Sequence, residues 1–164
     1  MPTYIQDSQQ VLDEISNLTL PPHTKLFTTD ANANAMYNNI DTNHAIEVIS
    51  WWLNDMNDRM VLPLNFPLEA VLSAMTVIMK NNIFEYGDLC FLQLDGTAMG
   101  TLAAVMWATL YCAYHEVHTI IPKHGLSLHY FKCFINDVFG VWTGNTTNEW
   151  SDFCQDINDF GILT

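Results

Sequence analysis

Apolar and polar positions follow two different periods along this chain, and together they predict an α+β fold. The predicted strands cover residues 25–30, a hairpin within residues 84–94, and a second hairpin or strand pair over residues 126–131 and 133–141. The first strand, KLFTTD, has the aromatic and β-branched residues that favour a pleated surface, and it ends at Asp30. The first hairpin alternates around the turn residues Gly87-Asp88.

Helical spacing separates these strands. Residues 1–20 are predicted to form a partly helical lead-in, and residues 144–164 a polar turn followed by an acidic amphipathic helix. Asp41 or Thr42 is a suitable N-cap for a helix with one apolar face. Its predicted inward residues are Ala45, Val48, Ile49, Trp52 and Leu53. A further helix follows Pro67, and its apolar composition predicts that it is largely buried.

Residues 96–114 carry no charged side chain, which allows two interpretations. A membrane-spanning helix needs about 20 predominantly apolar residues, so a small membrane-anchored protein is one of them. The other is a core helix that small residues press against a sheet. Acidic or neutral flanks, and the lack of a Lys/Arg cluster that would fix orientation in a membrane, favour the core helix.

Composition limits the class of protein. The chain has 164 residues, 49% of them hydrophobic, which suits one domain or one lobe of something larger. Eighteen acids against five basic residues give a formal charge of −13, so the isolated chain repels polyanions at long range. Four cysteines without CxxC spacing indicate reduced thiols in an intracellular protein of the nucleus or the cytoplasm.

The most unusual stretch is FINDVF, at residues 134–139. Aromatic and β-branched residues give it the composition of a buried strand, yet Asp137 lies inside it. A charge in such a run must be paired, hydrated or bound to a metal. The simplest interpretation is that Asp137 caps a turn and that Asp30 ends a strand.

Three segments taken in order resemble the palm of a reverse transcriptase, of the Penelope-like or a related retroelement type. The segment QLDGTAMGT, at residues 93–101, is similar to the part of that family that lines the template and the incoming nucleotide. Residues 26–30 with residues 36–41 resemble the first metal-binding motif, and residues 131–142 resemble the metal-binding hairpin. The likeness extends over about residues 20–145.

The resemblance implies an α+β polymerase palm with a ferredoxin-like βαββ core, in which helices back an antiparallel sheet, and with part of the fingers. Residues 1–164 would form a single partial reverse-transcriptase domain. Its parts are a lead-in (1–19), the palm motifs (20–145) and an acidic helix (146–164). We expect a truncated fragment that does not polymerise alone, because the fingers and thumb would supply most phosphate-binding Lys and Arg.

The family's reaction is RNA-templated DNA synthesis with two Mg²⁺ ions. By position, the resemblance assigns Asp30, Asn136 and Asp137 to catalysis, with Asp30 and Asp137 as the metal ligands. Asn136 stands where the family has an acid, so we expect weaker Mg²⁺ binding and impaired activity. The alternative is a non-catalytic, degenerate palm that acts as an interaction module or is an element remnant.

Substrate-binding positions also follow from the resemblance. They are Tyr37, Gln93, Gly96, Met99 and Gly100. Gly96 and Gly100 would let the backbone approach a base or sugar, although glycines with this spacing also let a helix pack tightly. The expected partners are an RNA template, a DNA primer and a deoxynucleoside triphosphate, bound in the context of the full-length enzyme.

The first motif departs from the family pattern, in which an aromatic residue lies five positions after the acid. Tyr37 lies seven positions after Asp30 and five after Asn32. Either two residues are inserted behind Asp30, or Asn32 holds the ligand position. The insertion is favoured, because residues 26–28 lead into Asp30 as a strand would.

Overall fold

The computed structural model describes residues 3–30, 36–97, 102–134 and 137–159. Within these ranges the chain forms helices and two small antiparallel sheets, which confirms the predicted α+β class. The chain divides into two compact units. The sheet unit comprises Met1–Asn34 and Cys112–Gly161, and the helical unit comprises Ala35–Tyr111 and Ile162–Thr164.

The predicted strands are present. The elements in chain order are α1 (Ser8–Ser16), β1 (Lys25–Asp30), α2 (Met36–Asn39), α3 (Thr42–Asp58), α4 (Leu68–Lys80), β2 (Ile83–Tyr86), β3 (Leu89–Leu92), α5 (Leu102–His115), a π-helix (Glu116–Ile120), α6 (Ile121–His124), β4 (Leu128–Phe134), β5 (Asp137–Trp142) and α7 (Thr147–Asn158). The first strand has the predicted bounds, and the first hairpin is confirmed as β2–β3. The second strand pair is present as β4–β5, but its predicted division is wrong, because Cys133 and Phe134 belong to β4 and not to the second strand.

The larger sheet has the strand order β1-β5-β4, so β5 lies between its two antiparallel neighbours. Gly140 on β5 is the register partner of Phe27 on one side and of Phe131 on the other. A Cβ atom at Gly140 would lie 2.5 Å from Cε1 of Phe27, so the phenylalanine ring fills the space that a side chain would need. The fit between Phe27 and Gly140 therefore specifies how β1 pairs with β5.

Aromatic side chains join this sheet to α7. Trp142 stacks on Phe153 with ring centroids 4.9 Å apart, and Phe27 meets Phe153 edge-on at 5.1 Å. Trp142 and Phe153 are fully buried together with Ile120. Helix α7 starts at a capping box, in which the Thr146 hydroxyl accepts a hydrogen bond from the Glu149 amide. The inner face of the sheet is thus a packed aromatic core.

The helical unit starts as the sequence predicts. The Asp41 carboxylate accepts a hydrogen bond of 2.7 Å from the amide of His44 and caps α3. Four of the five predicted inward residues of α3 are buried, and Leu53 is half-buried. Trp52 donates from its indole nitrogen to the carbonyl of Leu110, at 3.0 Å.

The prediction that the helix after Pro67 is largely buried is wrong. Among the residues of α4, only Met79 is buried, whereas Val77 and Ile78 are 61% and 47% exposed. All residues of the β2–β3 hairpin are exposed as well. The apolar residues of a helix indicate which face a partner would cover, but not whether the chain provides that partner. Within the described residues, this face of α4 stays exposed.

Helix α5 covers most of the uncharged stretch at residues 96–114, for which a membrane span was one interpretation. It continues directly into the π-helix, which carries the charged residue Glu116. Across the described ranges, every helix is too short or too polar to cross a membrane. Trp107 and Ala108 of α5 are buried, as predicted for a core helix.

We predict that Gly140→Ala lowers the free energy of unfolding by about 1–3 kcal/mol, because the new methyl group overlaps the Phe27 ring. A double-mutant cycle with Phe27→Ala, measured by urea denaturation, tests the cause. Once the ring is gone, Gly140→Ala should cost little. An equal cost in both backgrounds would show that the ring does not set the requirement for glycine.

Candidate metal site at the end of the sheet

The two residues predicted as metal ligands are direct partners in the sheet. Asp30 is the last residue of β1, Asp137 is the first residue of β5, and the two are paired at the end of the ladder. Opposite residues in an antiparallel pair have Cα atoms about 4.5–5.5 Å apart. The backbone therefore brings Asp30 and Asp137 together. Asn136, the third predicted position, lies outside the described residues, as does Asn32.

The Asp137 side chain is exposed at the rim of an open cavity of about 370 Å³. The cavity is lined by Ile5, Thr28, Thr29, Lys132, Phe134, Asp137, Val138 and Phe139. Carboxylate and hydroxyl oxygens are the hard donors that Mg²⁺ prefers, and Asp137 and Thr28, which lie on the same face of the sheet, supply one of each kind. Lys132 adds a positive charge to the same cavity.

Lys132 forms an ion pair with helix α1, the helix of the N-terminal lead-in. Its Nζ atom lies 3.2 Å from Oε2 of Glu14, and the hydroxyl of Tyr130 donates to the same oxygen at 3.0 Å. Gln10 donates to the other oxygen of Glu14 at 2.8 Å. The hydrogen bond from Gln10, followed by those from Tyr130 and Lys132, holds the pKa of Glu14 below its usual value. Burial raises the pKa of Tyr130 to about 12, and its hydrogen bond to Glu14 adds to this.

Two predicted substrate-binding residues meet in the helical unit. Thr97 donates its amide proton to the carbonyl of Tyr37 at 2.6 Å, and Gly96 donates to the carbonyl of Ile40 at 2.8 Å. Gly96 has φ +82°, and a Cβ atom there would lie 2.7 Å from the Cα atom of Asn38. The close approach that requires glycine at this position is thus to the backbone of the segment that carries Tyr37.

The other predicted substrate-binding residues provide less information about a binding site. The Gln93 side chain donates to the carbonyl of Asp95 at 2.8 Å, which fixes its amide beside the turn that leads to Gly96. Met99 and Gly100 lie outside the described residues. Among the residues that are described, no three His, Cys, Asp or Glu side chains form a group that could hold a metal ion. That set includes neither Asn136 nor the side chain of Asp30.

Sequence reasoning missed a buried acid in the sheet unit. Glu116, in the π-helix, is 6% exposed and accepts a hydrogen bond of 2.5 Å from the Thr3 hydroxyl. Burial raises the pKa of Glu116, against a smaller opposite effect of hydrogen bonds from Cys133 and Thr3. Burial also raises the pKa of the thiols of Cys112, to about 12, and of Cys133. Thr3 and Glu116 are 113 residues apart, so no local sequence signal could have paired them.

Residues 3–5 form an additional extended segment beside β4. The amide of Cys133 donates to the carbonyl of Thr3 at 2.8 Å, and the amide of Ile5 donates to the carbonyl of Cys133 at 3.0 Å. Ile5 is buried, and the bridge between Tyr4 and Cys133 is parallel. This segment therefore fixes the start of the lead-in to the edge of the sheet.

No protein-family model matches the chain, and no match to a curated protein is found. The function must therefore be inferred from the residues and from the geometry around Asp137. Two features of that geometry are chemically informative: the acid pair across β1 and β5, and the lysine in the cavity. The contact between Gly96 and the Tyr37 segment is a separate observation within the helical unit.

We predict that Glu116→Gln stabilises the protein at pH 8. A raised pKa means that the acid's stabilising contribution is complete below about pH 4.5, the ordinary pKa of a glutamate, and is lost as the pH rises through the folded-state value. The free energy of unfolding of the variant should exceed that of the wild type at pH 8, by on the order of 1 kcal/mol, and the difference should shrink towards pH 4.

Denaturant unfolding at several pH values between 4 and 8 measures this difference. Glu47→Gln, at an exposed position of α3, makes the same chemical change and is the matched control. Glu47→Gln should leave the pH dependence close to that of the wild type. Parallel pH profiles for Glu116→Gln and the wild type would show that Glu116 does not change protonation on unfolding.

Proposed function

We propose that this chain is the palm region of a reverse transcriptase, whose family reaction is RNA-templated DNA synthesis. The observation that carries the proposal is the pairing of Asp30 with Asp137 at the end of the β1-β5-β4 sheet. Nucleotidyl transfer uses two metal ions about 3.5–4 Å apart, which oxygen ligands from more than one element must hold. Acids at opposite positions on neighbouring strands meet this requirement.

We assign the first ligand position to Asp30 rather than to Asn32. Asp30 ends β1 and is the register partner of Asp137. Moving the ligand two residues along an extended strand would displace it by about 6.6 Å, which is more than a metal site tolerates. The two extra residues between Asp30 and Tyr37 then belong to the connection between β1 and α2.

In the family reaction, the 3′ hydroxyl of a primer attacks the α-phosphorus of a deoxynucleoside triphosphate, a new P–O bond forms, and pyrophosphate leaves. Asp30 and Asp137 would hold the Mg²⁺ ions, which activate the hydroxyl and balance the triphosphate charge when bound. The resemblance assigns binding of the incoming nucleotide to Tyr37 and Gly96, and within the helical unit the segments that carry these two residues are joined by backbone hydrogen bonds.

A second candidate function is a degenerate palm retained as an interaction module. Asn136 favours it, because an amide oxygen carries no full negative charge and holds Mg²⁺ less well than a carboxylate. The formal charge of −13 also opposes binding of nucleic acid by the chain alone. Both candidate functions assign the same residues to the site, and they differ in whether the site binds metal.

We predict that Asn136→Asp raises Mg²⁺ affinity roughly tenfold or more, because it restores a carboxylate beside Asp137. Isothermal titration with Mg²⁺, and with Mn²⁺ as a second probe, measures the change. Asp137→Asn in the Asn136→Asp background should remove the gain. Asp88→Asn, in the turn of the β2–β3 hairpin, removes an acid elsewhere and should leave the gain intact. Unchanged metal binding in Asn136→Asp would favour the interaction module.

Primer extension on an RNA template tests the reaction itself. We expect no extension by the unmodified chain, since it has few basic residues with which to hold a template and primer. Robust Mg²⁺-dependent synthesis that Asp137→Asn abolishes would show that this chain is a complete catalyst. It would contradict the expectation that other parts of the enzyme are needed.

A further inference from the structure

Helix α1 lies on the side of the sheet that carries Asp137. Side chains alternate between the two faces of a strand, so Asp137 and Phe139 of β5 share a face with their β4 partners Phe134 and Lys132. Glu14 of α1 binds Lys132 on this face, and Val11 lines a cavity with Phe134 and Phe139. The lead-in helix thus covers part of the surface beside the candidate metal site.

The attachment of α1 is mainly polar. None of its residues is buried, and Leu12 is 61% exposed. The cavity beneath it, of about 550 Å³, is lined largely by apolar side chains, so packing there is incomplete. Among the described residues, the polar contacts of α1 with the sheet include those of the Glu14 carboxylate, with Lys132 at 3.2 Å and with the Tyr130 hydroxyl at 3.0 Å. The side chains of Lys132 and Glu14 are 19% and 33% exposed, so solvent and other anions reach this ion pair and can compete with it.

The contacts of Glu14 resemble those that a phosphate group would make. A carboxylate and a phosphate both present negatively charged oxygens to an ammonium group and a hydroxyl donor. Tyr130 and Phe139, with ring centroids 6.0 Å apart, flank Lys132 on this face. Proteins bind single-stranded nucleic acids by stacking the bases on aromatic side chains and by contacting the phosphates with nearby cationic side chains.

We propose that α1 is an autoinhibitory cover, in which Glu14 occupies on Lys132 the place of a phosphate of single-stranded nucleic acid. Binding of the strand displaces Glu14, places a phosphate on Lys132 and exposes Tyr130 and Phe139 for stacking. Residues 3–5 stay paired with β4 and keep the helix tethered at its N-terminal side. The inference rests on the proposed function for the nature of the ligand, and it adds a regulatory step at the same site.

The test compares two substitutions on α1 that change the net charge equally. Glu14→Gln removes the ion pair with Lys132, whereas Asp13→Asn removes an exposed acid whose contact is with Gln9 of the same helix. Binding of a fluorescein-labelled 12-nucleotide oligo(dT) and oligo(U) is followed by anisotropy at physiological ionic strength, where salt screens the repulsion from the chain's net charge of −13. We expect Glu14→Gln to raise affinity about fivefold or more, and Asp13→Asn to change it less than about twofold.

Two further variants identify the phosphate contact. Lys132→Gln in the Glu14→Gln background should abolish the gain in affinity, because the cation that receives the phosphate is lost. Lys123→Gln, at an exposed lysine that pairs with Asp156, removes the same charge elsewhere and should retain most of the gain. Hydrogen exchange gives an independent readout: oligonucleotide should reduce the protection of α1 amides in the wild type and leave residues 3–5 protected.

An equal gain for Glu14→Gln and Asp13→Asn would mean that only net charge matters, and this would overturn the proposal. So would an unchanged affinity of Glu14→Gln, or a gain that survives Lys132→Gln. The outcome is separable from that of the metal titration. Failure of Asn136→Asp to bind Mg²⁺ would remove the proposed polymerase site and leave displacement of α1 measurable, while tight metal binding with no effect of Glu14→Gln would remove the cover alone.

Discussion

The register between β1 and β5 depends on the fit of the Phe27 ring against Gly140 of β5. A slip of two residues would place Phe27 opposite Val138 or Trp142, whose side chains occupy the space that glycine leaves open. A slip of one would turn every core residue of β1 to the wrong face. Asp30 lies three residues after Phe27, and Asp137 lies three residues before Gly140. Because Phe27 and Gly140 fix the register, a packing constraint in the core also places Asp30 opposite Asp137.

The two faces of the sheet are held by different physical forces. Trp142 and Phe153 bury one face under α7, and such contacts are lost only on unfolding. The other face meets α1 through the carboxylate of Glu14, without a buried residue in the helix. Water and other ions compete with a polar contact of this kind, so α1 can exchange while the core persists. The candidate site thus combines a fixed backbone with an adjustable cover.

Local chemistry was sufficient to predict much of this fold. The strand that ends at Asp30, the cap at Asp41 and the turn at Gly87-Asp88 are specified by residues within a few positions of each other, and all three are present. The exposure of α4 and the burial of Glu116 were not predicted. Each depends on whether residues distant in sequence pack against the side chains, which a local pattern does not indicate. For the candidate site, the resemblance indicated the two acids as ligands of one site, and the register of β1 with β5 places their backbones opposite each other.

The exposed β2–β3 hairpin affects how copies of the chain interact with one another. It presents apolar side chains on a sheet that has two strands among the described residues, a combination that favours edge-to-edge association. The formal charge of −13 opposes this, since copies repel one another before their hairpins meet. Salt shortens the range of that repulsion to about 8 Å at physiological ionic strength. Colloidal stability of the chain is therefore governed by ionic strength, with its acidic surface acting as the barrier to self-association.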